Sequence, residues 1–150
     1  MRIEQQILSR LIYDEQYCRK VIPFIKREYF SDRKEATIAL IISDFFAKYN
    51  KPITKEILSI EIGNRKDLND KEHAEIKSFV ETLTDVPTNE HWMIENTEKF
   101  CKDRAVYNAI LKSIQIIDGK DKQFTTDALP SILSDALAVS FDNQIGRAHV

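Results

Sequence analysis

Turn-forming material is scarce in this chain. Three glycines (Gly63, Gly119, Gly146) and four prolines (Pro23, Pro52, Pro87, Pro130) serve 150 residues. So few turn formers exclude a sandwich or barrel of many short strands and leave a few long helices with short connections. Low-complexity and collagen-like readings fall with them. The two cysteines, Cys18 and Cys101, lie far apart, and with no Cys-x-x-Cys pair a zinc knuckle or thioredoxin-type site is not expected. Two free thiols suit a reducing, intracellular setting. No apolar run approaches the roughly 18 residues of a membrane span. The longest, Ala39 to Ile42, stops at Ser43-Asp44, and the N-terminus lacks a signal-peptide core. Neither sign of charge dominates: the formal net charge is −2, which excludes a protein that coats nucleic acid with its whole surface. A Gly-x-x-x-x-Gly-Lys-Ser/Thr phosphate loop is missing as well, so this stretch alone is not expected to bind or hydrolyse ATP.

What is present reads as helix. The length suits one domain, or a small domain plus an arm. Ile3, Ile7, Leu8, Leu11 and Ile12 mark one face of a helix over about 3–13. Asp14 can cap a second short helix with Tyr17, Cys18, Val21 and Ile22 inward. Tyr29-Phe30 reads as an aromatic pair plugged into the core from a connection. Asp32 opens a long helix to about Tyr49, with an expected apolar stripe of Ala36, Ala39, Leu40, Ser43, Phe46 and Ala47. Thr54 is a good N-cap, and Ile53 before it can staple to Leu58. That helix should end near Gly63. Asn69 and Glu72 have capping-box spacing for the next, with Ala74, Ile76, Phe79, Val80 and Leu83 apolar and Pro87 as its breaker.

The last third differs. From Asn89 to Asp118 there is neither proline nor glycine. Met93, Thr97, Phe100, Arg104, Tyr107, Leu111, Ile114 and Asp118 alternate steps of four and three, a heptad-like seam on a helix of about 28 residues. At about 42 Å that helix exceeds what a small core needs, so its seam favours an intermolecular contact. Gly119 to Lys122 forms a turn. A second helix is expected from Asp127, as N-cap with Pro130 at the third helical position, to Phe141. The organisation predicted is a helical bundle over 1–88, a helical hairpin over 89–145, and a vector-derived tail over 146–150.

Candidate chemistry is sparse. His73, His91 and His149 are dispersed, unlike metal ligands. Glu72 with Glu75, and Glu95 with Glu98, share helix faces but read as surface charge. Cys18 and Cys101 sit at apolar helical positions as buried structural thiols, and Trp92 can pack internally or anchor a partner. Arg19, Lys20, Lys26, Arg27, Arg33 and Lys34 cluster within 16 residues. They form either a solvated mixed face or a patch for nucleic-acid phosphate or an acidic partner.

Taken in order, these features carry a resemblance. Glu4-Gln5-Gln6-Ile7-Leu8 through Leu11-Ile12-Tyr13-Asp14 resembles the opening helix of the N-terminal domain of DnaB-type replicative DNA helicases. Glu28-Tyr29-Phe30 is similar to that family's acid–aromatic–Phe step. The Pro52-Ile53-Thr54 cap is similar to the part that follows, and Asp103-Arg104-Ala105-Val106 to the segment opening its hairpin. Ala136 to Asp142 resembles the T-even-type phage members. The resemblance implies an all-α bundle followed by a hairpin, with hairpins pairing into dimers and three dimers forming a collar on a hexameric ring. It also implies primase as a partner and single-stranded DNA in the channel. The setting would be a phage replisome in the cytoplasm of a bacterial host, with no membrane. ATP and Mg would belong to a motor domain outside these residues, which would unwind duplex DNA 5′ to 3′.

Carried over by position, the oligomer-interface candidates are Phe100, Arg104, Tyr107, Leu111, Ile114, Leu133, Leu137 and Phe141. Asp103 and Asp135 are the acids expected to satisfy Arg104. Catalytic, cofactor and metal residues are expected to be absent. Two other readings share the fold class: the helicase-binding domain of a primase, and a helical adaptor that binds single-stranded DNA through the Arg19–Lys34 patch. A downstream ATPase motor marks the helicase, and an upstream polymerase module marks the primase. Salt-sensitive DNA binding by the isolated chain marks the adaptor.

Overall fold

The computed structural model describes residues 2–141. The tail expected at 146–150, and the hairpin end over 142–145, lie outside the described residues. Within them the chain is all-α, with seven α-helices, three short 3-10 turns and no strand. It divides into two compact units, Met1–Thr97 and Glu98–Val150, and the boundary falls inside one long helix.

The first unit holds α1 (Ile3–Tyr13), α2 (Glu15–Val21), α3 (Arg33–Tyr49), α4 (Lys55–Gly63) and α5 (Asp70–Glu81). Most starts are set by side chains next to them. Asp14 accepts from the Tyr17 N–H, Asp32 from those of Lys34 and Glu35, and Thr54 from that of Ile57. Asn69 and Glu72 close the expected capping box in both directions. Each cap satisfies donors that the first helical turn leaves without intrahelical partners.

Ile7, Leu8 and Leu11 of α1, Tyr17 and Cys18 of α2, and Ile38 and Ile42 of α3 form the buried centre. Leu58 and Ile62 of α4 and Ile76 and Val80 of α5 extend it, and Tyr29 and Phe30 plug into it as expected. Burial pushes the Cys18 thiol up to about 11, so it is an inert, apolar group.

Four details depart from the sequence reading. α3 buries Glu35 to Ala39 together with Ile41 and Ile42, while Ala47 is exposed and Leu40, Ser43 and Phe46 are only half-buried. Its inward face is rotated toward the N-terminal half, where α1 and the Arg27–Tyr29 turn pack on it. Ala74 of α5 is exposed and Phe79 half-buried. α5 stops at Glu81, well before Pro87, with Thr82 as its C-cap. In the second unit α7 runs Leu129–Leu137, shorter than expected, with Pro130 in its second position. Asp127 lies in a preceding 3-10 turn and caps nothing with its side chain.

Two acids of the first unit have distinctive surroundings. Glu35 is 1% exposed and pairs with Arg2. Burial raises its pKa above the ordinary 4.5, and the Arg2 charge opposes that rise only in part. The folded chain therefore holds this proton more tightly than the unfolded chain. Stability then falls as pH rises from about 4.5 through the raised folded value. Glu35→Gln is expected to remove that fall: the wild-type-minus-variant stability difference should decline across this window in urea titrations at stepped pH. A pH-independent difference would refute the assignment.

The other is Asp85, in the extended connection between α5 and α6. It pairs at 2.5 Å with Arg10, whose side chain is 7% exposed on α1. Close by, the Tyr13 hydroxyl donates to the Leu83 carbonyl.

Candidate self-association surface

α6 (Glu90–Ile117) is the 28-residue helix the missing glycines and prolines predict. Asn89 Oδ1 accepts from the Trp92 N–H at its start. Its N-terminal part belongs to the first unit, where Met93 and Thr97 are buried. The Thr97 hydroxyl donates to the Met93 carbonyl (2.6 Å) and so accepts from the Tyr17 hydroxyl (2.7 Å). Trp92 stays about half exposed.

The second unit is a hairpin. α6 ends in a Schellman turn: the Gly119 N–H donates to the Ile116 carbonyl, and the Lys120 N–H to that of Gln115. Gly119 has φ 74, which glycine adopts without the penalty a Cβ brings. Asp121 then accepts from the Gln123 and Phe124 N–H groups, which lower its pKa. Two contacts bring the returning chain antiparallel to α6. Lys112 Nζ lies 4.3 Å from the Phe124 ring centre. Glu98 accepts from the Phe141 N–H (2.6 Å) and the Ser140 hydroxyl (3.1 Å). Glu98 and Lys112 lie on the helix face that also carries Cys101, Ala109, Ser113 and Ile116, all buried. On α7, Ala136 is buried and Ile132 and Leu133 half-buried. Burial raises the Cys101 thiol to about 12.

The opposite face of α6 is apolar and uncovered. Tyr107, Ile110, Leu111, Ile114 and Ile117 are 50%, 47%, 44%, 49% and 64% exposed. At 3.6 residues per turn they share one face, about half a turn from the hairpin's internal side. Monomers rarely leave such a contiguous stripe to water.

The eight interface candidates therefore separate. Tyr107, Leu111 and Ile114 form the stripe, and Arg104 borders it with its guanidinium 4.6 Å from the Tyr107 ring centre. Phe100 and Phe141 are buried by the chain itself, Leu133 is half-buried and Leu137 is exposed. Asp103, one acid expected for Arg104, pairs with Lys99 at 2.8 Å. Ile110 and Ile117 were missed because a strict heptad template skips them, whereas a wider 3.6-residue stripe takes them in.

The basic cluster is largely neutralised. Arg19 pairs with Glu15, Lys20 with Glu90, Arg33 with Glu72 and Lys34 with Asp32. Lys26 and Arg27 make no ion pair among the described residues. The carboxylates have structural work: Glu95 pairs with His91, and Glu72 both caps α5 and holds Arg33. His73 Nε2 contacts the Arg65 carbonyl. Among the described residues, no group of three or more His, Cys, Asp or Glu could hold a metal ion, and no helix is long and apolar enough to cross a membrane.

Against this geometry, residues 1–95 match the DnaB-like helicase N-terminal domain family. The chain belongs to that family. A DnaB-like replicative helicase of Enterobacteria phage T4 is 29% identical over 149 residues, covering 94% of this chain and 31% of the relative. The chain thus spans about a third of that relative's length. The family match stops within the first unit, while the phage relative's match extends over the hairpin. The DnaB-like resemblance read from the sequence is upheld in fold and family. Fold and family both agree with a DnaB-like helicase N-terminal domain.

Proposed function

We propose that this chain is the collar part of a hexameric replicative DNA helicase, and that its hairpin joins subunits through the exposed face of α6. The observation that carries this reading is the uncovered stripe of Tyr107, Ile110, Leu111, Ile114 and Ile117 on the side away from the hairpin's own packing. Two copies burying their stripes against each other would remove that surface from water, the usual driving force for association. Pairs would then assemble three to a ring. In the whole protein the collar would dock primase and border the path of single-stranded DNA. Unwinding driven by ATP with Mg would be the work of a motor domain outside these 150 residues. The neutralised Arg19–Lys34 cluster supports a collar built on protein contacts over an adaptor built on phosphate contacts.

Sedimentation velocity at tens of micromolar tests this. Wild type should sediment as a dimer or larger. Leu111→Asp with Ile114→Asp should sediment as a monomer of unchanged helicity, because an aspartate buried unpaired costs several kcal/mol and weakens association at least a hundredfold. A wild-type monomer indistinguishable from the double variant would sink the proposal.

A further inference from the structure

A pocket of about 90 Å³ opens between α1 and the connection from α5 to α6. Its walls all belong to the first unit. Gln6, Ser9 and Arg10 line it from α1, and Thr84, Val86 and Thr88 line it from the connection. The α1 side is its floor: Ser9 is 3% exposed and the Arg10 side chain 7%. Thr84, Val86 and Thr88 are exposed and form its rim. The connection is held against α1 at three points. Leu83 is buried, its carbonyl accepts from the Tyr13 hydroxyl, and Asp85 pairs with Arg10. The pocket is therefore built into the unit, as small-molecule sites usually are.

Three properties define what such a pocket takes. Ser9 Oγ is buried and meets no hydrogen-bond partner among the described residues. A buried hydroxyl left in that state is destabilising, and a bound polar group relieves it. Because a hydroxyl both donates and accepts, an alcohol or an amide serves equally well. The charges at the floor cancel, Arg10 against Asp85, so an ion entering would lose its hydration and meet no net opposite charge. The volume sets the size. An apolar cavity of about 150 Å³ holds benzene, so about 90 Å³ holds roughly four heavy atoms. Water is the competing occupant, but each buried water needs two to four polar partners, and these walls are mostly apolar. We propose that this pocket binds a small neutral molecule of about four heavy atoms that carries one hydroxyl or primary amide, with Ser9 Oγ as its polar contact. The site is independent of the collar reading.

Backbone-amide NMR of the full chain, titrated separately with 2-propanol, acetamide and acetate, tests it. Acetamide and acetate match in shape and size, so charge alone separates them. The two neutral probes should give saturable shifts confined to α1 and the connection through Thr88, with Kd values of about 1–50 mM. Acetate should bind at least about tenfold more weakly, having no net positive charge to meet. Ser9→Ala should weaken both neutral probes about three- to tenfold, the range of one hydrogen bond, without lowering the unfolding midpoint. Shifts that stay linear in probe concentration, or that spread over the whole surface, mean a solvent effect only and overturn the site. Acetate binding as tightly as acetamide overturns its neutral character. Unchanged affinity in Ser9→Ala overturns the assignment of Ser9 as the polar contact.

Discussion

Ile42→Ala is expected to lower the unfolding free energy by about 3 kcal/mol, within the 2–5 kcal/mol range for deleting a fully buried aliphatic side chain. Ile42 has no exposed surface and sits on the face of α3 that builds the centre of the first unit. Removing its side chain loses the transfer free energy of three carbons and leaves a cavity that close-packed neighbours cannot fill. The control is Ala47→Ser on the same helix. Position 47 is exposed, so the change should stay within about 0.5 kcal/mol. Urea unfolding followed by circular dichroism measures both. Equal losses at the two positions would mean that the inward face of α3 is wrongly placed. The pair also separates the two readings of α3, since the stripe inferred from periodicity put Ala47 inside and left Ile42 out.

The second large effect is expected at Asp85. Asp85→Ala should cost about 2 kcal/mol, although the aspartate side chain is itself 59% exposed. The loss comes from Arg10, 7% exposed and left buried without its carboxylate. Breaking a fully buried pair costs roughly 3–5 kcal/mol; water reaching Asp85 lowers the figure here. Arg10→Met should compensate. The double variant should recover at least half of the loss, because a methionine fills the space of the arginine stem without a charge to desolvate. A double variant less stable than Asp85→Ala would show that Arg10 acts through packing and not through its charge. Hydrogen exchange across residues 82–89 gives an independent readout, since the pair ties that connection to α1.

The helix starts were legible for a definite reason. Asp14, Asp32, Thr54 and Asn69 each bond an N–H two or three residues ahead, so the atoms that make the cap lie within one short stretch of sequence. The long links were not legible. Arg10 finds Asp85 across 75 positions, and Glu98 finds Ser140 and Phe141 across 42 and 43. No pattern in the neighbourhood of either residue signals its partner.

The seam on α6 shows the same division. On paper Met93, Thr97, Phe100, Tyr107, Leu111 and Ile114 form one line. In the fold the first three are buried and the last three exposed. A straight helix drifts about 20° per heptad from a seven-residue repeat, so positions three heptads apart no longer point the same way. More decisively, the surfaces available to cover the helix change along its length.

The sequence by itself determined that this chain is helical, where most of its helices begin, and that one helix runs uninterrupted for 28 residues. Those properties rest on turn formers, caps and periodicity, all local. Only the tertiary structure decided which face of α3 turns inward, which half of the α6 seam is covered, and that Tyr107 to Ile117 is left to water. Burial depends on surfaces arriving from distant parts of the chain, and a helix of the same periodicity can present either face until they arrive.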